Sequence, residues 1–162
     1  MRPTDLRQIV DRVVQGVQST TERHQLFVEG PEQIEGVWDE PLLAEVIENL
    51  LINAVKYSPR GGPIAVRLAA DDDRVEVRVS DRGLGLSQAA LRHVFERYYR
   101  ARRTRQLEGS GLGLYICQGI VSAHGGRIWA TSGGPGQGST FCFALPLHVP
   151  HAAEAAQGPR RV

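Results

Sequence analysis

Residues 48–59, ENLLINAVKYSP, set two asparagines and a lysine in a run otherwise rich in Leu, Ile, Val and Ala. At about 100° per residue, Leu43, Val46, Ile47, Leu50, Leu51 and Ala54 fall on one broad apolar face. Asn49, Asn53 and Lys56, at offsets of four and three, fall together on another. Asp39 supplies a cap and Pro59 disfavours helical geometry at Ser58, so the predicted helix runs from Glu40 to Tyr57. Buried polar groups cost roughly 2–7 kcal/mol unless something bonds or coordinates them. An asparagine carbonyl is a hard oxygen ligand suited to magnesium, and a lysine one turn away suits phosphate. Read alone, the three also suit the solvent face of an amphipathic helix.

Outward from that helix the chain mixes helices with hairpins. TDLRQIVDRVVQGVQ spaces Leu6, Ile9, Val10, Val13 and Val17 as an amphipathic helix after a Thr4 cap. HQLFVEG and QIEGVW are short and turn-bounded, and read as a pair of strands. IAVRLAA and RVEVRVS alternate around the acidic turn at residues 71–73 and predict a hairpin. After the short helical stretch QAALRHVFERYY, GLGLYICQGIVSAH forms a second long helix stopped by Gly125 and Gly126. RIWATS and STFCFALPL close the domain, and residues 148–162 read as a disordered tail. The order implies an α/β domain over residues 1–147, with a mixed, mainly antiparallel sheet and helices on one face.

The bulk numbers narrow the function. A chain of 162 residues, 41% hydrophobic, fits one globular domain. Nineteen Lys+Arg against 18 Asp+Glu create no global field for nucleic acid or an anionic membrane. Cys117 and Cys142 lack metal-site spacing and read as buried hydrophobes of a reducing compartment. No apolar run is long enough to span a bilayer, and the expectation is a soluble, cytoplasmic domain.

Two glycine-rich segments follow. DRGLG leaves an alternating strand, so Asp81 could accept from the exocyclic amino group of a base while Gly83 and Gly85 let it approach; as an isolated motif it also reads as a plain turn. GSGLGL, residues 109–114, opens a helix whose amides and dipole suit phosphate. It matches neither a dinucleotide fingerprint, lacking the βαβ context, nor a Walker loop, lacking Gly-Lys-Ser/Thr. Between them RYYRARRTR carries five arginines in nine residues, read as a lid over a triphosphate or as a nucleic-acid site.

In the order NLLINAVKYSP, DRGLGL, VFERYYR, GSGLGLYICQGIVSAHGG and GQGSTFCF, the chain resembles the catalytic ATP-binding domain of bacterial sensor histidine kinases, within the gyrase, heat-shock chaperone and MutL ATP-binding superfamily. The likeness covers roughly residues 4–147 and implies a two-layer α/β sandwich, the Bergerat fold. It implies that Asn53 ligates Mg2+, with Asn49 beside it and Lys56 near the phosphates of ATP. Tyr57 would line the nucleotide, Asp81 would read the adenine amino group, and Gly83 and Gly85 would make room for it. Arg100 would reach the terminal phosphate. Gly109, Ser110, Gly111, Leu112 and Gly113 would shape the phosphate loop, and Gly138 and Thr140 the last glycine box. Asn49, Lys56 and Arg100 would be the catalytic set.

The related ATPases carry a glutamate as general base four residues before the metal asparagine, where this chain has Asn49, so hydrolysis should be slow. None of the five histidines has the sequence context of the family's phosphoacceptor. The resemblance thus implies phosphoryl transfer to a histidine on a separate dimerisation domain of a parent kinase, membrane-anchored or not, with a response regulator downstream. A nucleotide-binding regulatory module, or an anti-sigma-like protein kinase, is the alternative. Neither nucleic acid nor membrane is an expected partner of the domain itself.

Overall fold

The computed structural model describes residues 1–100 and 111–148. Most of the arginine loop and nearly all of the expected tail lie outside them. The described elements are β1 (Arg2–Asp5), α1 (Leu6–Gln18), β2 (His24–Glu29), β3 (Glu35–Trp38), α2 (Glu40–Lys56), β4 (Gly62–Ala70), β5 (Arg74–Asp81), α3 (Gln88–His93), α4 (Gly113–Ala123), β6 (Arg127–Thr131) and β7 (Ser139–Pro146).

The asparagine helix forms as its sequence directs. Asp39 Oδ1 accepts from Leu42 N–H at 3.1 Å, a proline occupies its first turn, and the Tyr57 N–H closes the last turn onto Asn53 O. Its stripe of Leu43, Val46, Ile47, Leu50 and Leu51 is fully buried. It packs between α1 and α4, and these three helices cover one face of a five-stranded sheet of order β2-β4-β5-β7-β6. Val75, Val77 and Val79 of β5 and Phe141, Phe143 and Leu145 of β7 point into that layer because alternate residues of a strand share a face. The result is the expected two-layer sandwich.

The β4–β5 hairpin is antiparallel as predicted, pairing Ala65 with Ser80 through Ala70 with Val75. Two expectations change. HQLFVEG and QIEGVW do not pair with each other: β2 runs parallel to β4, while β3 pairs antiparallel with β1 in a separate two-stranded sheet. The chain returns through α2 before β4, and such a crossover brings strands back in the same direction. The cap of α1 is Asp5 rather than Thr4, which lies in β1. The Asp5 carboxylate accepts from both Arg7 N–H and Ile34 N–H, so one side chain ends the strand and starts the helix. Val14 is buried, and Val13 sits only partly buried at the edge of the core.

His124, the C-cap of α4, joins two helix ends: its Nδ1–H donates to Ile120 O at 2.8 Å and its Nε2 accepts from Asp39 N–H at 3.0 Å. No helix among the described residues is long and apolar enough to cross a membrane.

Candidate nucleotide site

Along β5 the inward positions read Val75, Val77, Val79 and then Asp81, so a carboxylate arrives where the pattern calls for an apolar side chain. Asp81 is 8% exposed. Its Oδ1 accepts from Gly83 N–H at 2.8 Å and its Oδ2 from Ser139 Oγ–H at 3.1 Å. Burial raises its pKa, and those two donors pull it partly back.

The loop after β5 is stitched to its neighbours. Leu84 N–H donates to Tyr57 O at 2.9 Å, Gly136 N–H to Leu84 O at 2.7 Å and Gly138 N–H to Gly83 O at 3.1 Å. Glycine is required at this junction for close approach. A β-carbon at Gly83 would stand 2.0 Å from Tyr57 O, and one at Gly85, whose φ is +68°, 2.2 Å from Gly134 O. Their absent side chains therefore serve the backbone stitching first.

Tyr57 stands at the end of α2 beside this junction. Burial raises its pKa, while the Arg100 guanidinium acts in the opposite direction. Tyr57, Leu86, Val94, Leu114 and Phe141 line a small apolar cavity that Ser139 and Gly85 also border. A second cavity of about 220 Å3 shares Tyr57, Val94, Tyr99, Arg100 and Leu114 with it and adds Asn49, Asn53, Lys56, Gly111 and Gly113. The shared residues make one groove, apolar at one end and amide- and cation-lined at the other. Lys56 Nζ lies 5.4 Å from the Tyr57 ring centroid.

The start of α4 closes the polar end. A β-carbon at Gly113 would lie 3.3 Å from Asn49 Oδ1, so helix start and asparagine are close neighbours. Among the described residues no side chain caps that N-terminus. Tyr98 N–H donates to Gly111 O at 2.9 Å, fixing the two ends of the arginine loop to each other. Gly109 and Ser110 lie outside the described residues.

Thus Asn49, Asn53, Lys56, Tyr57, Gly85, Arg100, Gly111 and Gly113 border one groove, with Asp81 held behind Ser139. Leu112 adjoins it as the N-cap of α4, and Gly138 supports it with a φ of +67° that a β-carbon would not tolerate. Thr140 is not brought there: its hydroxyl bonds Ser80 Oγ at 2.9 Å on the opposite face of the sheet. The hydroxyl on the groove side is Ser139, one residue earlier. Strand alternation from Phe141 is the signal that picks it out. Ser58, Leu86, Val94, Tyr99, Leu114 and Phe141 also escaped the motif reading, because only packing gathers them.

Comparison with known proteins follows the same outline. Residues 38–149 match the model of the family described as histidine kinase-, DNA gyrase B-, and HSP90-like ATPase. The adaptive-response sensory kinase SasA of Crocosphaera subtropica is 41% identical over 125 residues, 76% of this chain and 32% of the relative. The mycobacterial sensor histidine kinase MprB superposes with a TM-score of 0.83 at 31% identity, covering 90% of this chain and 97% of that structure. Full-length ShkA, solved in complex with AMPPNP, gives 0.72 at 28% identity, over 89% of this chain and 30% of ShkA. The chain spans about a third of the length of the curated relatives it matches. It belongs to the histidine kinase-, DNA gyrase B- and HSP90-like ATPase family.

Proposed function

We propose that this domain binds Mg-ATP and donates the γ-phosphoryl group to a histidine on a separate domain of a sensor kinase. The observation that carries this reading is the single groove with a buried carboxylate bonded to Ser139 at its apolar end and two asparagines, a lysine and the start of α4 at the other. An adenine ring suits the first and a triphosphate the second.

The donor set fits magnesium. Among the described residues no three His, Cys, Asp or Glu side chains converge, whereas an amide oxygen with substrate phosphates and waters is a common magnesium arrangement. Asn53, with Asn49 beside it, would hold the ion, which when bound neutralises charge developing on the phosphates. Lys56 and Arg100 add fixed positive charge, and the α4 amides orient the phosphate chain. In the transfer, a P–N bond to the acceptor forms as the bond from the γ-phosphorus to its bridging oxygen breaks. Asn49 cannot take a proton at neutral pH, so attack by water lacks a base in this position.

The acceptor would come from elsewhere. No described histidine lines the groove; His24 and His124 are buried with both ring nitrogens engaged. A response regulator would act downstream. The test mixes the domain with an isolated acceptor-helix domain of a related kinase and γ-labelled ATP. Label on the acceptor histidine is the expected result, whereas nucleotide binding with label only on serine or threonine of a partner would establish the anti-sigma-like alternative.

A further inference from the structure

The two edges of the five-stranded sheet are finished differently. At β2 a side chain occupies the outer edge: Gln18 Nε2–H donates to His24 O at 2.8 Å, and Gln18 Oε1 accepts from Leu26 N–H at 2.8 Å. One carboxamide thereby stands in for a neighbouring strand, and α1 packs alongside. At β6 the backbone pairs with β7 on one side, and among the described residues no backbone hydrogen bond leaves Arg127–Thr131 on the other. An open edge is a template for another strand, and sequences that avoid pairing place a lysine, a proline or a bulge there. RIWAT has none of these, and its register with β7 is continuous. Ile128 and Ala130 are partly buried against the core. Trp129 stands half-buried on the outer face of the sheet, its ring centroid 4.4 Å from the Arg127 guanidinium.

The order of side chains along β6 indicates which strand fits it. Laid antiparallel on a second β6 about a twofold axis at Trp129, the strand sets Arg127 opposite Thr131, Ile128 opposite Ala130 and Trp129 opposite Trp129. Every residue of the strand is paired, aromatic meets aromatic, and no cation faces a cation. An axis centred on Arg127 would instead oppose like charges. The guarded β2 edge removes the head-to-tail alternative of β6 on β2, so the contact closes after two copies rather than growing into a filament.

We propose that the β6 edge is a self-association surface, on which a second copy of this domain adds its own β6 to make one continuous sheet. The surface is separate from the nucleotide groove, whose lining includes no residue of β6. Such a short edge makes a smaller contact than a standard stable interface, so a dissociation constant on the order of 100 μM is expected for the isolated chain. Two copies tethered within one assembly would meet at roughly millimolar effective concentration and pair.

The experiment is sedimentation equilibrium of the wild-type chain from about 10 μM to about 1 mM, a range that brackets the expected constant. It is repeated on Thr131→Glu, Thr131→Arg and the double variant Arg127→Glu/Thr131→Arg. Both positions are exposed, so all variants should melt with wild type. Wild type is expected to form a reversible dimer. Thr131→Glu should tighten it threefold to tenfold, since the twofold axis creates two Arg–Glu pairs, and Thr131→Arg should loosen it by about the same factor. The double variant should dimerise at least as well as wild type, because the opposed charges are exchanged rather than lost. Tryptophan emission offers a second reading: Trp38 is fully buried, so a concentration-dependent shift reports Trp129. A chain that stays monomeric throughout the range would overturn the proposal. A dimer that does not respond in opposite directions to Thr131→Glu and Thr131→Arg would overturn it as well.

Discussion

Asp81 ends a strand whose other inward residues are valines, and its chemistry follows from that position. Burial raises its folded pKa above the ordinary carboxylate value, so the folded protein holds this proton more tightly than the unfolded chain does. Stability therefore declines as pH climbs from the unfolded pKa through the folded one, and the loss persists above it. Binding an amino group favours the charged form and works in the opposite direction. Asp81→Asn should thus melt at or above the wild-type temperature at neutral pH yet bind ATP roughly a hundredfold more weakly, an amide and a 6-amino group facing each other as donors. Calorimetric melting and titration read the two effects separately. Asn53 is only partly buried, so Asn53→Ala should leave the fold intact while erasing the magnesium dependence of nucleotide affinity, measured by titration with and without the ion. Both residues were legible in the sequence, one by helical offset and one by its place after an alternating strand. The choice of Ser139 over Thr140 was also legible, by counting the strand alternation back from Phe143 and Phe141, but the motif likeness pointed to Thr140 instead.

At the scale of elements, helix ends do the positioning. The C-terminus of α2 presents Tyr57 O to the loop after β5, and the N-terminus of α4 meets Asn49. The opposite ends of the same two helices are joined by His124, whose acceptor nitrogen must be unprotonated to take the Asp39 N–H. His124→Ala would leave that buried junction unpaired and should lower stability by about 1–3 kcal/mol, read as a drop in the urea midpoint with an unchanged slope. Since α4 starts at the groove with Gly113 and Leu114, the same variant should also weaken nucleotide binding modestly. Element types were readable from periodicity, but the partners of β2 and β3 were not. Both are short and turn-bounded, and nothing local distinguishes a hairpin from a crossover when a helix follows.

For the whole molecule, one core unites the helix layer and the inner sheet face, and the two cysteines report on it from opposite sides. Cys117 is on the buried face of α4 at 0% exposure and Cys142 on the outer face of β7 at 1%. Burial pushes the Cys117 thiol pKa up to about 12 and raises that of Cys142 as well. Neither thiol should react with iodoacetamide in the native state at pH 8, and both should become reactive across the same denaturant range in which helical circular dichroism is lost. Earlier labelling of Cys142 alone would reveal that the outer sheet face opens before the core does.

The sequence by itself determined the class of fold, the amide face of α2 and the carboxylate after β5, because helical and strand periodicities are local and survive without a partner. It also carried the family likeness, since ordered glycine motifs mark places where backbones must approach closely. Only the tertiary structure decided which strands are neighbours and which side chains gather around the groove. Each of those depends on where a residue's face lands after distant segments pack, and no local pattern records that.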